Sequence, residues 1–140
     1  MYKFLNIILI TFFLASKCYS EIINKVEIKN NNRITKETIL VFSNIELVKD
    51  YNSNDLNQII KDLYETNFFS DLSLNLADGV LTINVNENKI IQEIQIDGIK
   101  KTELVDILKK QLLLKDKNPF VENYVSIDVD RIQKILKNSG

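Results

Sequence analysis

An α+β fold is predicted for this 140-residue chain, built from β-α-α-β-β units in tandem with the second unit cut short before its hairpin. Three observations carry that expectation. Leu56, Ile59, Ile60, Leu63 and Tyr64 form a stripe at helical spacing. The period then falls to two, with Leu72, Leu74 and Leu76 and then Leu81, Ile83 and Val85 alternating with polar residues on either side of Asp78-Gly79. Finally, the opening pattern of the unit returns after Glu87.

Composition narrows the chemistry. With 45% hydrophobic and 26% charged residues and a formal net charge of −1, the chain is globular in character rather than disordered. It has no His and no Trp, and its single Cys is Cys18. A Ser-His-Asp triad, a His-bearing zinc site, an intrachain disulfide and a cysteine cluster are therefore excluded. No catalytic residue, cofactor or metal site is expected. A small enzyme working with carboxylates, Lys, Ser or Tyr alone is the reading from another class.

The N-terminus reads as a secretory leader over residues 1–20. Lys3 gives it a positive start, Phe4 to Ala15 is mostly apolar, and small residues at Cys18 and Ser20 set cleavage between Ser20 and Glu21. An apolar run of about 12 residues is shorter than the roughly 20 that span a bilayer, which disfavours a membrane anchor. Acylation at Cys18 is disfavoured by Lys17, where such signals want a small side chain. Losing Lys3 and Lys17 leaves 16 basic against 19 acidic residues, so nucleic acid has no electrostatic case as a partner. An exported chain without disulfides points to a bacterial envelope protein.

Within the first unit, Lys25 to Lys29 alternates as a short strand and Asn30-Asn31-Asn32 turns the chain. Thr35 caps a helix through Ile39, Leu40 and Phe42, with Glu37 in its first turn. Lys49-Asp50-Tyr51-Asn52 is read as a polar loop and Ser53 as the cap of the striped helix, whose core face includes Tyr64. The Asp-Gly hairpin closes the unit at about Glu87.

Gln92 to Asp97 alternates in turn around Ile94 and Ile96, before Gly98. Val26 falls on Ile94, Ile28 on Ile96, Arg33 on Lys101, and Ile39-Leu40 on Ile107-Leu108. Past a longer loop bearing Pro119, Ser53 falls on Ser126, Asp55 on Asp128, Ile59 on Ile132 and Leu63 on Leu136. The expected division is a leader at 1–20, a complete unit at 21–88, and an incomplete unit at 89–140 holding one strand and two helices. Without a hairpin, Ile94, Ile96, Leu108, Leu112, Ile132, Ile135 and Leu136 lack cover. At about 1.5–3 kcal/mol per buried side chain, that loss predicts a fragment whose second unit is unstable alone.

Val26-Glu27-Ile28 with Asn30-Asn31 and Arg33-Ile34, then Leu63 to Leu72, then Leu81-Thr82-Ile83 with Val85 and Glu87, resemble a POTRA (polypeptide-transport-associated) domain. Gln92 to Lys101, with Asp97-Gly98 and Lys100-Lys101, resembles the opening of a second. Asn30 and Asn67 stand where the family often has Gly, and Ile99 where it often has Asn. A leader followed directly by such repeats is similar to the N-terminus of barrel-bearing outer-membrane assembly factors. TamA-like and two-partner secretion transporters, and FtsQ-like division proteins behind a true anchor, are the alternatives.

The resemblance implies tandem POTRA modules, each with two helices on a three-stranded mixed sheet, at the periplasmic face of a bacterial outer membrane. It implies further repeats and a membrane β-barrel absent from this chain. It also implies unfolded outer-membrane proteins as clients and accessory lipoproteins as partners. The second strand of the module, Phe69, Ser70, Asp71, Leu72, Ser73, Leu74, Asn75 and Leu76, is then the sheet edge and the candidate client-binding strand. Its odd-numbered residues are expected on the exposed face, and Ser73→Pro is the substitution expected to weaken peptide capture.

Other clusters are weaker. Asp128 and Asp130 are read as acidic residues at a helix start rather than a metal pair. Asp50, Asp55 and Asp62 show no sign of converging. Lys100-Lys101 and Lys109-Lys110 read as a solvated face before a basic patch for lipid head groups or a partner.

Overall fold

A computed structural model describes residues 20–139 of the chain. The leader expectation therefore lies outside the described residues, apart from the exposed Ser20 and the Glu21 that follows it. Glu21 opens a strand, β1 (Glu21–Ile23), followed by β2 (Lys25–Lys29). Then come α1 (Lys36–Ser43), β3 (Lys49–Tyr51), α2 (Ser53–Glu65), β4 (Phe69–Ala77) and β5 (Val80–Glu87). Beyond them lie α3 (Thr102–Gln111) and α4 (Glu122–Ser139).

The predicted three-stranded mixed sheet has the order β2-β5-β4, with β2 parallel and β4 antiparallel to the central β5. One core joins it to the helices: Ile28, Leu72, Leu81, Ile83 and Val85 from the sheet meet Ile39 of α1 and Ile59 and Leu63 of α2. The left-handed turns that Asn30 and Asn67 make, with φ of 64° and 58°, are the backbone conformation that Asn tolerates best after Gly. Asp78 and Gly79 both have positive φ, the geometry of a two-residue hairpin turn. Thr35 caps α1 by accepting the N–H of Thr38 at 3.2 Å.

Several local expectations need correction. Lys49 to Tyr51 is not loop but strand, paired antiparallel with Glu21–Ile23. Only Tyr51 of its three residues is buried, so no alternation signalled it. Its approach is set by Val48, at φ 63°, whose N–H reaches the Ile23 carbonyl at 2.7 Å. The cap of α2 is Asn52 rather than Ser53. Its side chain accepts from the N–H groups of Asn54 and Asp55, while the Asp55 carboxylate accepts the Asn52 N–H at 2.9 Å.

The second unit departs further. Gln92 to Asp97 forms no strand among the described residues, because no neighbouring strand lies beside it to complete a ladder. The nearby chain is held instead by an Ile90–Pro119 bridge and by the Asp116 carboxylate, which accepts the Ile94 N–H. Leu108 of α3 and Leu112 at its C-cap are buried, spaced as Ile39 and Ser43 are in α1. That shifts the helix one residue from the register matching Ile107 to Ile39, and Ile107 is exposed. Ser126 is no cap, since α4 begins at Glu122 and the Ser126 hydroxyl donates back to the Asn123 carbonyl.

Asp128 is likewise not at a helix start. It is 4% exposed, and its carboxylate accepts the N–H groups of Leu113 and Leu114 at 2.7 and 2.9 Å. The residue brackets the end of α3 against α4. Asp130 is exposed and points to no shared site. The apolar residues Ile107, Val125, Ile127, Val129 and Leu136 of these two helices are exposed.

Candidate functional site

The strand singled out by the sequence, β4, stands at the edge of the sheet. The two-residue Asp78-Gly79 turn makes Ala77 and Val80 a hydrogen-bonded pair, and alternation then assigns Asn75–Thr82, Ser73–Asn84 and Asp71–Asn86 to the same class. The backbone groups of Leu72, Leu74 and Leu76 therefore face outward. Ser73 turns its N–H toward β5, so a proline there removes a bond inside the hairpin rather than on the open edge. Leu74 is the position that tests the edge.

One outward donor is already taken. The Tyr64 hydroxyl at the end of α2 accepts the Leu72 N–H at 3.2 Å and lies 3.4 Å from the Asp71 carboxylate. Tyr64 is 39% exposed, so it belongs to this edge rather than to the core stripe where the sequence pattern put it. Helical periodicity reports which face a residue shares, and at the last turn of α2 that face has run past the core to the sheet margin.

The side-chain directions of β4 follow the expected alternation from Asp71 to Ala77, with Leu72 buried and Leu74 and Leu76 half-buried. Phe69 breaks it. It is 3% exposed and packs inward, because the register slips by one residue between Phe69 and Asp71. A bulge of this kind leaves Ser70 without a strand partner and re-aims its neighbour. The Ser70 hydroxyl donates to the Asn86 carbonyl at 3.1 Å.

The bulged end of the strand opens on a cleft of about 600 Å³ between the first unit and the start of α4. Tyr64, Asn67, Phe69 and Asn86 line one side, and Phe120 and Asn123 the other. The floor is Glu87 to Lys89, which sequence reasoning treated only as the end of a strand. The connection is backbone to backbone: Phe120 N–H meets the Lys89 carbonyl at 2.7 Å, and Ile91 N–H meets the Asn118 carbonyl at 2.9 Å.

Glu87 fixes the rim of the first unit. Its carboxylate accepts the N–H groups of Asn32, Arg33 and Ile34 at 2.8, 3.0 and 2.9 Å, and the Arg33 guanidinium lies at 3.7 Å. Burial alone pushes its pKa up, but the three N–H donors and the Arg33 charge outweigh that and hold it below the ordinary Glu value. Gly79, at the other end of the hairpin, ties the turn to the N-terminal strands. Its carbonyl accepts from Asn24 and Lys25, and its N–H donates to the Glu21 carboxylate at 2.6 Å.

Of the three separated aspartates, two are engaged within α2. Asp55 closes the capping box of α2 and Asp62 accepts the Gln58 amide at 2.7 Å. Lys115 donates to the Lys109 and Lys110 carbonyls at the end of α3. Among the described residues no cluster of three His, Cys, Asp or Glu is placed to hold a metal, and no helix is long and apolar enough to cross a membrane.

No family model matches the chain. Its fold is close to the N-terminal domain of Omp85 from Thermosynechococcus elongatus, at a TM-score of 0.59 and 13% identity over 87% of this chain and 53% of that one. POTRA1-2 of Omp85 from Anabaena matches at a TM-score of 0.57 and 13% identity, over 87% of this chain and 81% of that one. In sequence, the outer membrane protein assembly factor BamA of Neorickettsia risticii is 29% identical over 104 residues, 74% of this chain. The chain is thus similar in sequence to the N-terminal part of BamA proteins and in fold to Omp85 POTRA domains. BamA of Neisseria meningitidis serogroup B is 31% identical over 90 residues, 64% of this chain. The chain spans 14% and 11% of the length of these two curated relatives.

Proposed function

We propose that this chain is the periplasmic POTRA region of an outer-membrane β-barrel assembly factor, exported by its leader and divided into units at 21–88 and 89–140. It takes part in the assembly of barrel proteins by scaffolding accessory lipoproteins and by holding extended client segments at the β4 edge. It is a binding module and not an enzyme. The sequence relatives named as outer membrane protein assembly factors support the setting. The observation that carries the client role is the edge itself, where Leu74 and Leu76 present backbone groups away from β5. Backbone pairing accepts any chain able to extend, which suits clients that share strand-forming tendency rather than a motif.

The test is Leu74→Pro against Leu74→Ala. Both lose the half-buried Leu side chain, but only proline removes the outward N–H. Binding of strand-forming peptides should survive in Leu74→Ala and fall about tenfold in Leu74→Pro, the loss of roughly one or two backbone hydrogen bonds. Equal binding by the two variants overturns the edge reading.

A further inference from the structure

We infer that the cleft between the first unit and α4 is a second polypeptide-binding site, continuous with the β4 edge, that receives the part of a client extending past the bulge. The inference rests on the edge reading above and adds where the bound chain goes next. The Leu72 N–H is held by Tyr64 and the ladder slips at Ser70, so a strand added along Leu74 and Leu76 finds no regular continuation on β4. The cleft opens at that point, since Phe69 and Ser70 belong both to the strand and to the cleft wall.

The lining has the chemistry of a peptide site. Asn67, Asn86 and Asn123 lie around it, and their side-chain amides have no hydrogen-bond partner among the described residues. Each amide offers both a donor and an acceptor, the complement of a peptide group. Phe120, 38% exposed, stands across the cleft from Tyr64 and Phe69 and supplies apolar surface for a client side chain. The volume of about 600 Å³ lies within the roughly 300–1,000 Å³ of ligand-binding clefts. Opposed amides and aromatic rings favour an extended chain of mixed apolar and polar residues. Lys89 offsets Glu122, and the Glu87 carboxylate is occupied by the N–H groups of residues 32–34 and by Arg33, so the cleft selects for no strong charge.

Two alternating peptides distinguish the sites, one of about five residues that spans only the straight edge and one of about nine that also reaches the cleft. Amide resonances of the chain report contact. The short peptide should perturb Leu74 and Leu76 alone, and the long one should also perturb Asn67 and Asn123. Phe120→Ala and, separately, Asn123→Ala should each weaken the long peptide, the first about tenfold, and leave the short one unchanged. A long peptide that perturbs only the edge, with affinity unaltered in both variants, overturns the cleft site while the edge reading stands. If neither peptide perturbs Leu74 and Leu76, the edge reading fails. Binding in the cleft without the edge overturns the continuity proposed here.

Discussion

The Tyr64 hydroxyl accepts the backbone N–H of Leu72 at 3.2 Å, so a helix side chain occupies a hydrogen-bonding position on the open margin of the sheet. An unpaired strand invites pairing with any extended chain, including a second copy of the same protein. Tyr64 satisfies one of the outward donors while leaving Leu74 and Leu76 open. The bound hydroxyl thus limits the edge at the end where the bulge begins.

Replacing that hydroxyl has a predicted cost and a predicted gain. Tyr64→Phe should lower stability by about 1 kcal/mol, the net value of one hydrogen bond, measured by urea denaturation. It should also raise the affinity for strand-forming peptides or produce concentration-dependent self-association in sedimentation, because Leu72 N–H becomes available. A variant that loses stability without any change in association would show that Tyr64 holds the helix end and does not guard the edge.

Glu87→Gln probes the clamp on residues 32–34. The carboxylate is held below its unfolded value, so its stabilisation is present above that unfolded value and is lost as pH falls through the folded one. The variant should be less stable than the parent by about 2 kcal/mol at pH 7. That gap should narrow as pH drops from about 5. A gap that stays constant across an acid titration of unfolding would contradict the ionic part of the argument.

Asp128→Ala removes the acceptor for two N–H groups at the end of α3. Leaving both donors unpaired costs about 2–3 kcal/mol locally. Hydrogen exchange at Leu113 and Leu114 should accelerate while the amides of β5 keep their protection, since Leu81 and Ile83 belong to a separate core. Uniform acceleration across both regions would mean that the two units unfold together.

Gly79→Ala tests the hairpin turn. At φ 73° a side chain is strained, and a Cβ would lie 2.5 Å from the Asn24 amide nitrogen and 3.3 Å from the Ile22 carbonyl. The Asn24 side chain can move, but the backbone conformation cannot, so the expected loss is about 1–2 kcal/mol, read as a lower midpoint of thermal unfolding. An unchanged midpoint would mean that the turn relaxes to another type.

The first unit was legible because its signals are local and strong. The α2 stripe, the Asp-Gly turn and the two alternating runs each state an element, and the POTRA resemblance supplied their order in the sheet. What was missed has a common cause. Lys49–Tyr51 carries too few residues to show a period, and its partner, Glu21–Ile23, lies far away in sequence. Ser53 and Asn52 are both residue types that cap helices, and only backbone angles distinguish them. In the second unit, transferring caps from one repeat to the other misplaced Ser126 and Asp128, because the longer loop with Pro119 lets α4 start earlier.

Residue chemistry by itself determined that the described chain would be α+β, that its centre would hold a helix followed by a hairpin, and that a His-dependent site, an intrachain disulfide and a cysteine cluster were excluded. These depend on composition and on periods read over a few turns or strand residues. Tertiary structure alone decided which backbone groups of β4 face outward, that Tyr64 takes one of them, that Glu87 and Asp128 serve as clamps, and that a cleft lies beside the bulge. Each of those joins residues distant in sequence or depends on a one-residue slip in register, and hydrophobic periodicity carries no information about either.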